Sequence, residues 1–230
     1  MSAASAVAVR LAAPATFGWS TVGRKVIMAV TGFILFGFIL AHLTGNLLLY
    51  RGPEAMHSYA VFLRSFLHGT GLWAARTGLI ISAVLHVWSA TSLTLQSWAA
   101  RPVGYRRWTA RDSTYASRTM RWSGVILLAF IIYHLLHFTF GTVHPDFQEL
   151  QPYHNVVAGF RVLPVSLFYI VAMVLLGLHL DHGVWSMLRT LGLSHPRYAR
   201  WARLAAAGFA IVVVVGNISF PIAVLAGWVQ

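Results

Sequence analysis

Residues 162–188 read VLPVSLFYIVAMVLLGLHLDHGVWSML. The stretch is long and apolar enough to cross a bilayer as a helix, and it carries His179 well inside its apolar part. Four other apolar stretches of comparable length lie at 24–50, 72–98, 120–143 and 203–228. Since each can cross a hydrocarbon core of about 30 Å with some tilt, the sequence predicts an all-α membrane protein. Its five transmembrane helices are expected to form an up-and-down bundle joined by short loops.

The composition indicates a single membrane domain over residues 1–230 with few kinds of metal ligand. Charged residues make up only 10%, whereas a soluble domain usually carries about 25%. Cysteine is absent, which excludes disulfides and cysteine-ligated iron–sulfur or zinc sites. Five acidic residues are too few for a carboxylate-bridged di-iron site, and the single lysine, Lys25, stands beside a helix start, which argues against a buried retinal Schiff base. Histidine is the one plentiful metal ligand.

The basic residues set the predicted orientation. The formal net charge is +12, and most of the 17 lysines and arginines lie between apolar stretches on the side where the first stretch begins. The loops of a membrane protein carry such charges, so the sequence does not indicate a nucleic-acid-binding patch. The positive-inside rule predicts a cytoplasmic N-terminus and a C-terminus outside, with the basic segments 100–121 and 189–203 facing the cytoplasm.

Four histidines lie at mid-membrane depth, one in each of four stretches: His42, His86, His134 and His179. An ionisable ring there is costly, so it usually faces the bundle interior and has a partner. Helix direction and distance from the flanking basic residues put His42 and His134 in the outer half and His179 in the inner half, with His86 nearer the middle. We therefore predict an outer pair, His42/His134, and an inner pair, His86/His179. Two such pairs of imidazoles in a helical bundle are what two bis-histidine haems need.

Two dipeptides support the outer pair. Thr31-Gly32 and Ser123-Gly124 end ten residues before His42 and His134, respectively. Helices that run the same way put similar features at similar depth, and a glycine lets a flat macrocycle approach the backbone closely. We therefore take the dipeptides as support for pairing His42 with His134.

Two ligand positions stay open at this point. His137 follows His134 by three residues, and His182 follows His179 by three, so the members of each couple share nearly the same helix face. Either member could be the ligand, and the other could reach water, a haem propionate or a quinone. The remaining histidines fall in predicted loops, where we expect them to be solvated: His57, His68, His144, His154 and His195.

Haem propionates and a quinone would need polar partners near the membrane faces. The candidate partners of the propionates are Arg161 and Arg51 outside and Arg24, Arg121 and Arg189 inside. The candidate contacts of a quinone are Tyr50, His137 and Arg51 on the outer side and Ser89, Asp181, His182 and Trp185 on the inner side.

Several segments resemble one family of membrane cytochromes. They are STVGRK at 20–25, AHLTGNL at 41–47, LHV at 85–87, RWSGVI at 121–126 running on to Tyr133-His134, and HLDHGVWS at 179–186. Together they make the chain after residue 18 similar to the cytochrome b subunit of succinate:quinone oxidoreductases, of the five-helix, two-haem type known as the b558 family. The last segment is similar to the family pattern His-x-x-x-Gly-x-Trp-[Ser/Thr], which favours His179 over His182. The third-helix segment favours His134 over His137.

The resemblance implies a membrane anchor that carries electrons and does not itself bind succinate, so whether the chain counts as an enzyme stays open. In the family, a flavoprotein subunit oxidises succinate and an iron–sulfur subunit relays the electrons, as respiratory complex II of the tricarboxylic acid cycle. The cytochrome subunit passes them through two haem b groups to a quinone, commonly menaquinone. The resemblance thus implies a bacterial cytoplasmic membrane protein with the ligands His42, His86, His134 and His179.

Two rival readings use the same histidines. One is the di-haem cytochrome b of another membrane dehydrogenase, such as a formate dehydrogenase or a hydrogenase, which would differ in its soluble partner. The other is a haem-free anchor or transporter in which the histidines relay protons, and it predicts no Soret absorbance in the pure protein.

Overall fold

The computed structural model describes residues 20–100 and 115–230, and all the regular structure within these ranges is helical. Residues 1–19 and 101–114, which hold most of the predicted basic loop after the second stretch, lie outside the described residues. The helices are α1 (Thr21–Asn46), α2 (Pro53–Ser65), α3 (Thr70–Ala99), α4 (Tyr115–Phe138), α5 (Pro152–Arg161), α6 (Leu163–Thr190) and α7 (Ala199–Leu225), with 3₁₀ turns at Leu47–Arg51 and Phe66–Gly69.

Five helical stretches are long and apolar enough to cross a membrane. They are α1, α4, α6, α7 and the run Pro53–Ala99, which contains α2, the 3₁₀ turn and α3. Between 11% and 33% of the most apolar window of each stretch is buried, so most of its apolar side chains face outward. Ile80 and Val215, for example, are 64% and 63% exposed. Such an apolar surface is suited to lipid rather than water. The predicted all-α class with five candidate spans is confirmed, and the chain is a multi-pass membrane protein.

The two ends of the bundle differ in character. At one end, the Arg24 guanidinium donates a hydrogen bond to Ser92 Oγ, which ties the start of α1 to the last turns of α3. Arg121 at the start of α4 lies 5.5 Å from the Trp98 ring centroid, near the end of α3. Helices α1, α4 and α7 begin at this end, and α3 and α6 finish there. We call it the basic end, and it corresponds to the predicted inner side.

At the opposite end, two helices lie where the sequence predicted loops. Helix α2 begins with Pro53 after Gly52, whose φ is +95°, and α5 begins with Pro152. Proline suits the first turn of a helix because the missing N–H would have no partner there. The two helices pack together, and their buried Met56 and Phe160 join one apolar cluster. We call this the capped end. With 13 and 10 residues, each of the two helices is too short to cross a membrane by itself.

The third span also ends earlier than predicted. Helix α4 stops at Phe138 rather than at residue 143. Gly141 adopts a φ of +72°, and the N–H of His144 bonds to its carbonyl at 3.1 Å, so the chain turns there. A positive φ is a conformation that glycine adopts without strain. Residues 139–151 therefore form a folded loop that leads into α5 rather than an extension of the span.

Small residues let particular helices pack closely. The packed pairs include α1 with α3, α4 with α6, α6 with α7, and α1 with α6. A Cβ built on Gly216 of α7 would lie 2.9 Å from Leu43 on α1, and Gly177 of α6 meets Val214 of α7 in the same way. Close approach through small residues is the usual basis of helix packing in membranes. Among the described helices, neither α1 with α4 nor α3 with α6 shows such extended packing.

One side chain ties the loop 139–151 to α5, and it yields a stability prediction. Asn155 is 5% exposed, its Nδ2 donates to Gln148 O at 2.8 Å, and its Oδ1 accepts from Gln148 N at 2.8 Å. Asn155→Ala leaves the Gln148 N–H without its acceptor and removes one of the two donors to the Gln148 carbonyl, and it is expected to cost about 1–3 kcal/mol. The thermal unfolding midpoint in detergent should fall, and limited proteolysis at 139–151 should become faster.

Gln148→Ala is the matched control, because both bonds use the backbone of Gln148 and its side chain is exposed. It should leave the midpoint and the cleavage rate close to those of the natural chain. Equal effects of the two substitutions would contradict the role given to Asn155.

Candidate metal centres

The rings of His42 and His134 meet across the bundle. Their centroids lie 5.8 Å apart, and the ring planes are nearly perpendicular, at 88°. His42 is on α1 and His134 on α4, two helices that do not pack on each other over any length. Both rings are half-buried. The structure thus brings together the two histidines predicted as the outer pair, in a cleft between their helices.

His86 and His179 meet in the same manner. Their ring centroids are 6.4 Å apart with an interplanar angle of 57°. These rings belong to α3 and α6, again two helices without extended packing, and both are half-buried. The two histidines predicted as the inner pair therefore also face each other across a cleft.

The two pairs lie at different levels of the bundle. On α1, Gly32 adjoins His86, whereas His42 comes ten residues later. On α4, Gly124 adjoins His179, and His134 again comes ten residues later. Ten residues of α-helix span roughly 15 Å along the axis. The inner pair is therefore nearer the basic end and the outer pair nearer the capped end.

The ring separations suit one metal ion between each pair. Imidazole nitrogens bond first-row metals at about 2 Å, so two rings on opposite sides of one ion have centroids roughly 6 Å apart. The observed 5.8 Å and 6.4 Å match this spacing. Among residues 20–100 and 115–230, no group of three or more His, Asp or Glu side chains could hold an ion alone. A centre with two protein ligands must take its other ligands from elsewhere, which is how haem iron is bound.

The inner histidines have their second ring nitrogen engaged. His86 Nδ1 lies 3.2 Å from the Met28 carbonyl, which can only accept, so Nδ1 carries the proton and donates it. His179 Nδ1 lies 3.4 Å from Ser123 Oγ, and that hydroxyl already donates its own proton to Met120 O at 3.1 Å. Ser123 therefore accepts from His179. A metal-ligating histidine usually donates its other N–H in this way, which leaves Nε2 free to bind the metal.

The hydroxyl–glycine dipeptides belong to the inner pair, which corrects the sequence analysis. Thr31 Oγ1 lies 3.3 Å from His86 Nδ1, and a Cβ on Gly32 would be 3.3 Å from His86 Cε1. A Cβ on Gly124 would be 3.7 Å from His179 Cε1. The similar depth of the dipeptides was expected, but they support the histidines of the neighbouring helices. The spacing within one helix does not show which histidine of a neighbouring helix each dipeptide contacts.

Tyr169 is the residue that sequence reasoning missed. Its hydroxyl lies 3.3 Å from His134 Nδ1 and 3.1 Å from His137 Nδ1. The tyrosine is 6% exposed and stands on α6, ten residues before His179. That spacing, which equals the spacing between the two levels on α1 and α4, is the signal that could have found it.

His137 and His144 form a stacked couple beside the outer pair. Their centroids are 4.8 Å apart at 29°, and His137 is 0% exposed. His137 Nε2 has no hydrogen-bond partner among the described residues, and it faces Gly159, on which a Cβ would lie 3.1 Å away. His144 was expected to be solvated, but it is half-buried and donates from Nε2 to Asn155 O at 2.8 Å. The short loop that carries it folds back onto α5.

The other candidate residues lie nearer the two ends. His182 is half-buried beside Asp181, whose carboxylate pairs with Arg203 at 3.7 Å. Arg161 is the exposed last residue of α5. Arg24 lies over Trp88, 5.7 Å from the ring centroid, and Tyr50 donates to Ser219 Oγ at 2.7 Å. The structure describes no direct contact of Arg161 or His182 with the four paired rings.

The comparisons with known proteins gave one match. A family model described as "Succinate dehydrogenase/Fumarate reductase transmembrane subunit" matches residues 99–218. This range is just over half of the chain, and it contains His134 and His179 but neither His42 nor His86. No curated protein and no solved structure gave a significant match.

The contact between Gly159 and the stacked couple generates a prediction. In Gly159→Ala, the new Cβ would lie 2.8 Å from His137 Cε1 and 3.1 Å from Nε2 of both His137 and His144. Three ring atoms would have to move, so we expect a loss of about 1–3 kcal/mol in stability. The unfolding midpoint of the purified protein measures it.

Gly208→Ala is the control, because it makes the same change in a helix where the Cβ meets no atom within 4 Å. It is expected to leave stability unchanged or to raise it by about 0.5–1 kcal/mol. A destabilisation as large as that of Gly159→Ala would show that the ring contact is not the cause.

Proposed function

The chain belongs to the succinate dehydrogenase/fumarate reductase transmembrane subunit family, and on that premise we propose that it is a cytochrome b membrane anchor. In this proposal it passes electrons from an iron–sulfur subunit through two bis-histidine haems to a quinone, commonly menaquinone. Its partners are the iron–sulfur subunit and the flavoprotein that oxidises succinate, in a bacterial cytoplasmic membrane. The chain itself does not act on succinate.

One observation carries the proposal: two histidine pairs, at two levels, each bridge helices that do not otherwise pack. His42 with His134 and His86 with His179 have ring separations of 5.8 and 6.4 Å. Bound between such imidazoles, haem b supplies a one-electron couple without an open coordination position. The groups that accept a hydrogen bond from Nδ1 of His86, His134 and His179 leave Nε2 of each as the nitrogen that would bind the iron.

A buried hydroxyl near the inner pair supports a haem there. Ser89 is 0% exposed, and its Oγ has no hydrogen-bond partner among the described residues. It lies one turn beyond His86, on the same face and toward the basic end, where Arg24 reaches Ser92. A polar atom buried without a partner is costly. A haem propionate directed at the basic end would find Ser89 and Arg24 as partners.

In this proposal, one end of the bundle binds the partner subunit and the other end binds the quinone. The basic end exposes Arg189 and Arg200 and is the surface on which we place the iron–sulfur subunit. At the capped end, an apolar groove between the 3₁₀ turn Leu47–Arg51 and the last turns of α7 is lined by Tyr50, Ser219 and Trp228 among others. An apolar groove with one polar couple suits a quinone ring. His137 fits that role less well, because it is fully buried.

The decisive experiment counts haem in the purified complex. We expect two b-type haems per copy of this chain from the pyridine haemochrome and the reduced-minus-oxidised spectrum. His42→Ala and His134→Ala should each lose the same haem, and His86→Ala and His179→Ala should each lose the other. The reason is that the remaining imidazole of a pair cannot bind the iron from both sides.

His182→Ala is the matched control, since it removes a half-buried histidine of α6 one turn from His179. It should retain both haems. One haem in the natural chain would mean that one of the pairs is wrong. No Soret absorbance would overturn the proposal and favour the haem-free anchor or proton relay, and co-purification with a formate dehydrogenase or hydrogenase would favour the other rival.

A further inference from the structure

We propose that Tyr169 is the positioning residue of the outer pair. Its hydroxyl oxygen accepts Nδ1–H of His134 and of His137 together, so that His134 rather than His137 presents a free Nε2 to the centre. The inference rests on the proposed function, because the role it assigns to His134 is that of a haem ligand.

The hydroxyl of Tyr169 lies between two histidines on one face of α4. The distances from its oxygen to Nδ1 are 3.3 Å for His134 and 3.1 Å for His137. A phenol oxygen has two acceptor lone pairs, so it can accept from both rings at once. His134 and His137 are three residues apart, which places both within reach of the same atom.

The tyrosine ring is fixed by its neighbours, so the oxygen is a fixed point. Phe130 and Phe160 both meet it edge to face, with centroids 5.0 Å away at 81° and 79°. Phe138 meets it at 5.7 Å and 72°. Edge-to-face contacts of this kind hold an aromatic ring in one orientation and add to its burial. These three rings come from α4 and α5, so the position of the oxygen depends on the packing of the capped end.

The two histidines differ in what their second nitrogen can reach. His137 is enclosed: its ring stacks on Tyr133, with centroids 5.5 Å apart at 21°, and its Nε2 is closed off by Gly159. His134 is half-buried, and its ring faces His42 at 5.8 Å. With both Nδ1 atoms held by Tyr169, only Nε2 of His134 lies at the pair. This geometry accounts for the choice between His134 and His137 that the spacing of the sequence left open.

The hydrogen bond has an electronic consequence as well as a geometric one. A ligand imidazole that donates its other N–H becomes a stronger base at the metal. A stronger base favours the oxidised metal and lowers its reduction potential. Removing the hydroxyl should therefore raise the potential of the outer haem. The inner haem should not respond, because its ligands donate to Met28 and Ser123.

The test is a potentiometric titration of the purified complex carrying Tyr169→Phe, with low-spin EPR signals of both haems as a second readout. The ring and its packing are retained, and only the oxygen is lost. We expect the oxidised-to-reduced ratio of one haem to fall about tenfold at fixed potential, which for a one-electron couple is a rise of about 59 mV. The other haem should keep its potential and its signal.

Tyr133→Phe is the matched control. Its ring stacks on the same His137, and the hydrogen bonds of this cluster join Tyr169 to the two histidines without using the Tyr133 hydroxyl. It should leave both potentials unchanged. If Tyr169→Phe acted only by disturbing the packing of this cluster, Tyr133→Phe would shift the potential of the same haem by a similar amount. A shift of equal size in both variants would overturn the role of Tyr169.

The outcomes separate the two proposals. A natural complex without haem overturns the proposed function, whereas two haems with unchanged potentials in Tyr169→Phe overturn the positioning role alone. Should Tyr169→Phe fail to assemble, the Tyr133→Phe complex labelled with ring-¹³C tyrosine replaces it. Its redox-induced infrared difference spectrum should contain a tyrosine band that follows one haem, and the absence of any such band contradicts the inference.

Discussion

Three of the four paired histidines have a ring nitrogen hydrogen-bonded to another helix, and the placement of the rings depends on these bonds. His86 and His179 bond to a carbonyl and hydroxyls of the adjacent helices. His134 bonds to a tyrosine on α6. Where the partner can only accept, as the Met28 carbonyl does, the bond fixes the tautomer and leaves the second nitrogen unprotonated. The same hydrogen bonds also fix which helices can be neighbours.

The spacing of the residues that contact the rings reflects this arrangement. On α1, α4 and α6 the residues at the two levels stand ten apart: Gly32 and His42, Gly124 and His134, Tyr169 and His179. A separation of roughly 15 Å keeps both levels inside a core about 30 Å thick. Helix α7 contributes no histidine. It packs on α6 and α1 through Gly177 and Gly216.

Much of this could be read from the sequence, because lipid imposes strong rules. The five candidate spans follow from hydropathy and length, and the rings that face one another are those expected from helix direction. Helices α2 and α5 were missed because they are short and only one face of each is apolar. The hydroxyl–glycine dipeptides, Tyr169 and His144 were misjudged or overlooked because their roles depend on contacts between helices. Periodicity along one helix carries no record of such contacts.

The pattern of helix packing has a consequence for how the protein is assembled. Helices α1 and α3 form one packed hairpin, α4 and α6 form another, and each histidine pair takes one ring from each hairpin. Neither half of the chain holds a complete centre, so nothing can bind both rings of a pair until the second hairpin has been inserted. Binding free energy gained at a pair therefore adds directly to the association of the two halves. The first hairpin therefore holds only one ring of each pair, and a ligand that bound both rings of a pair would link the two hairpins.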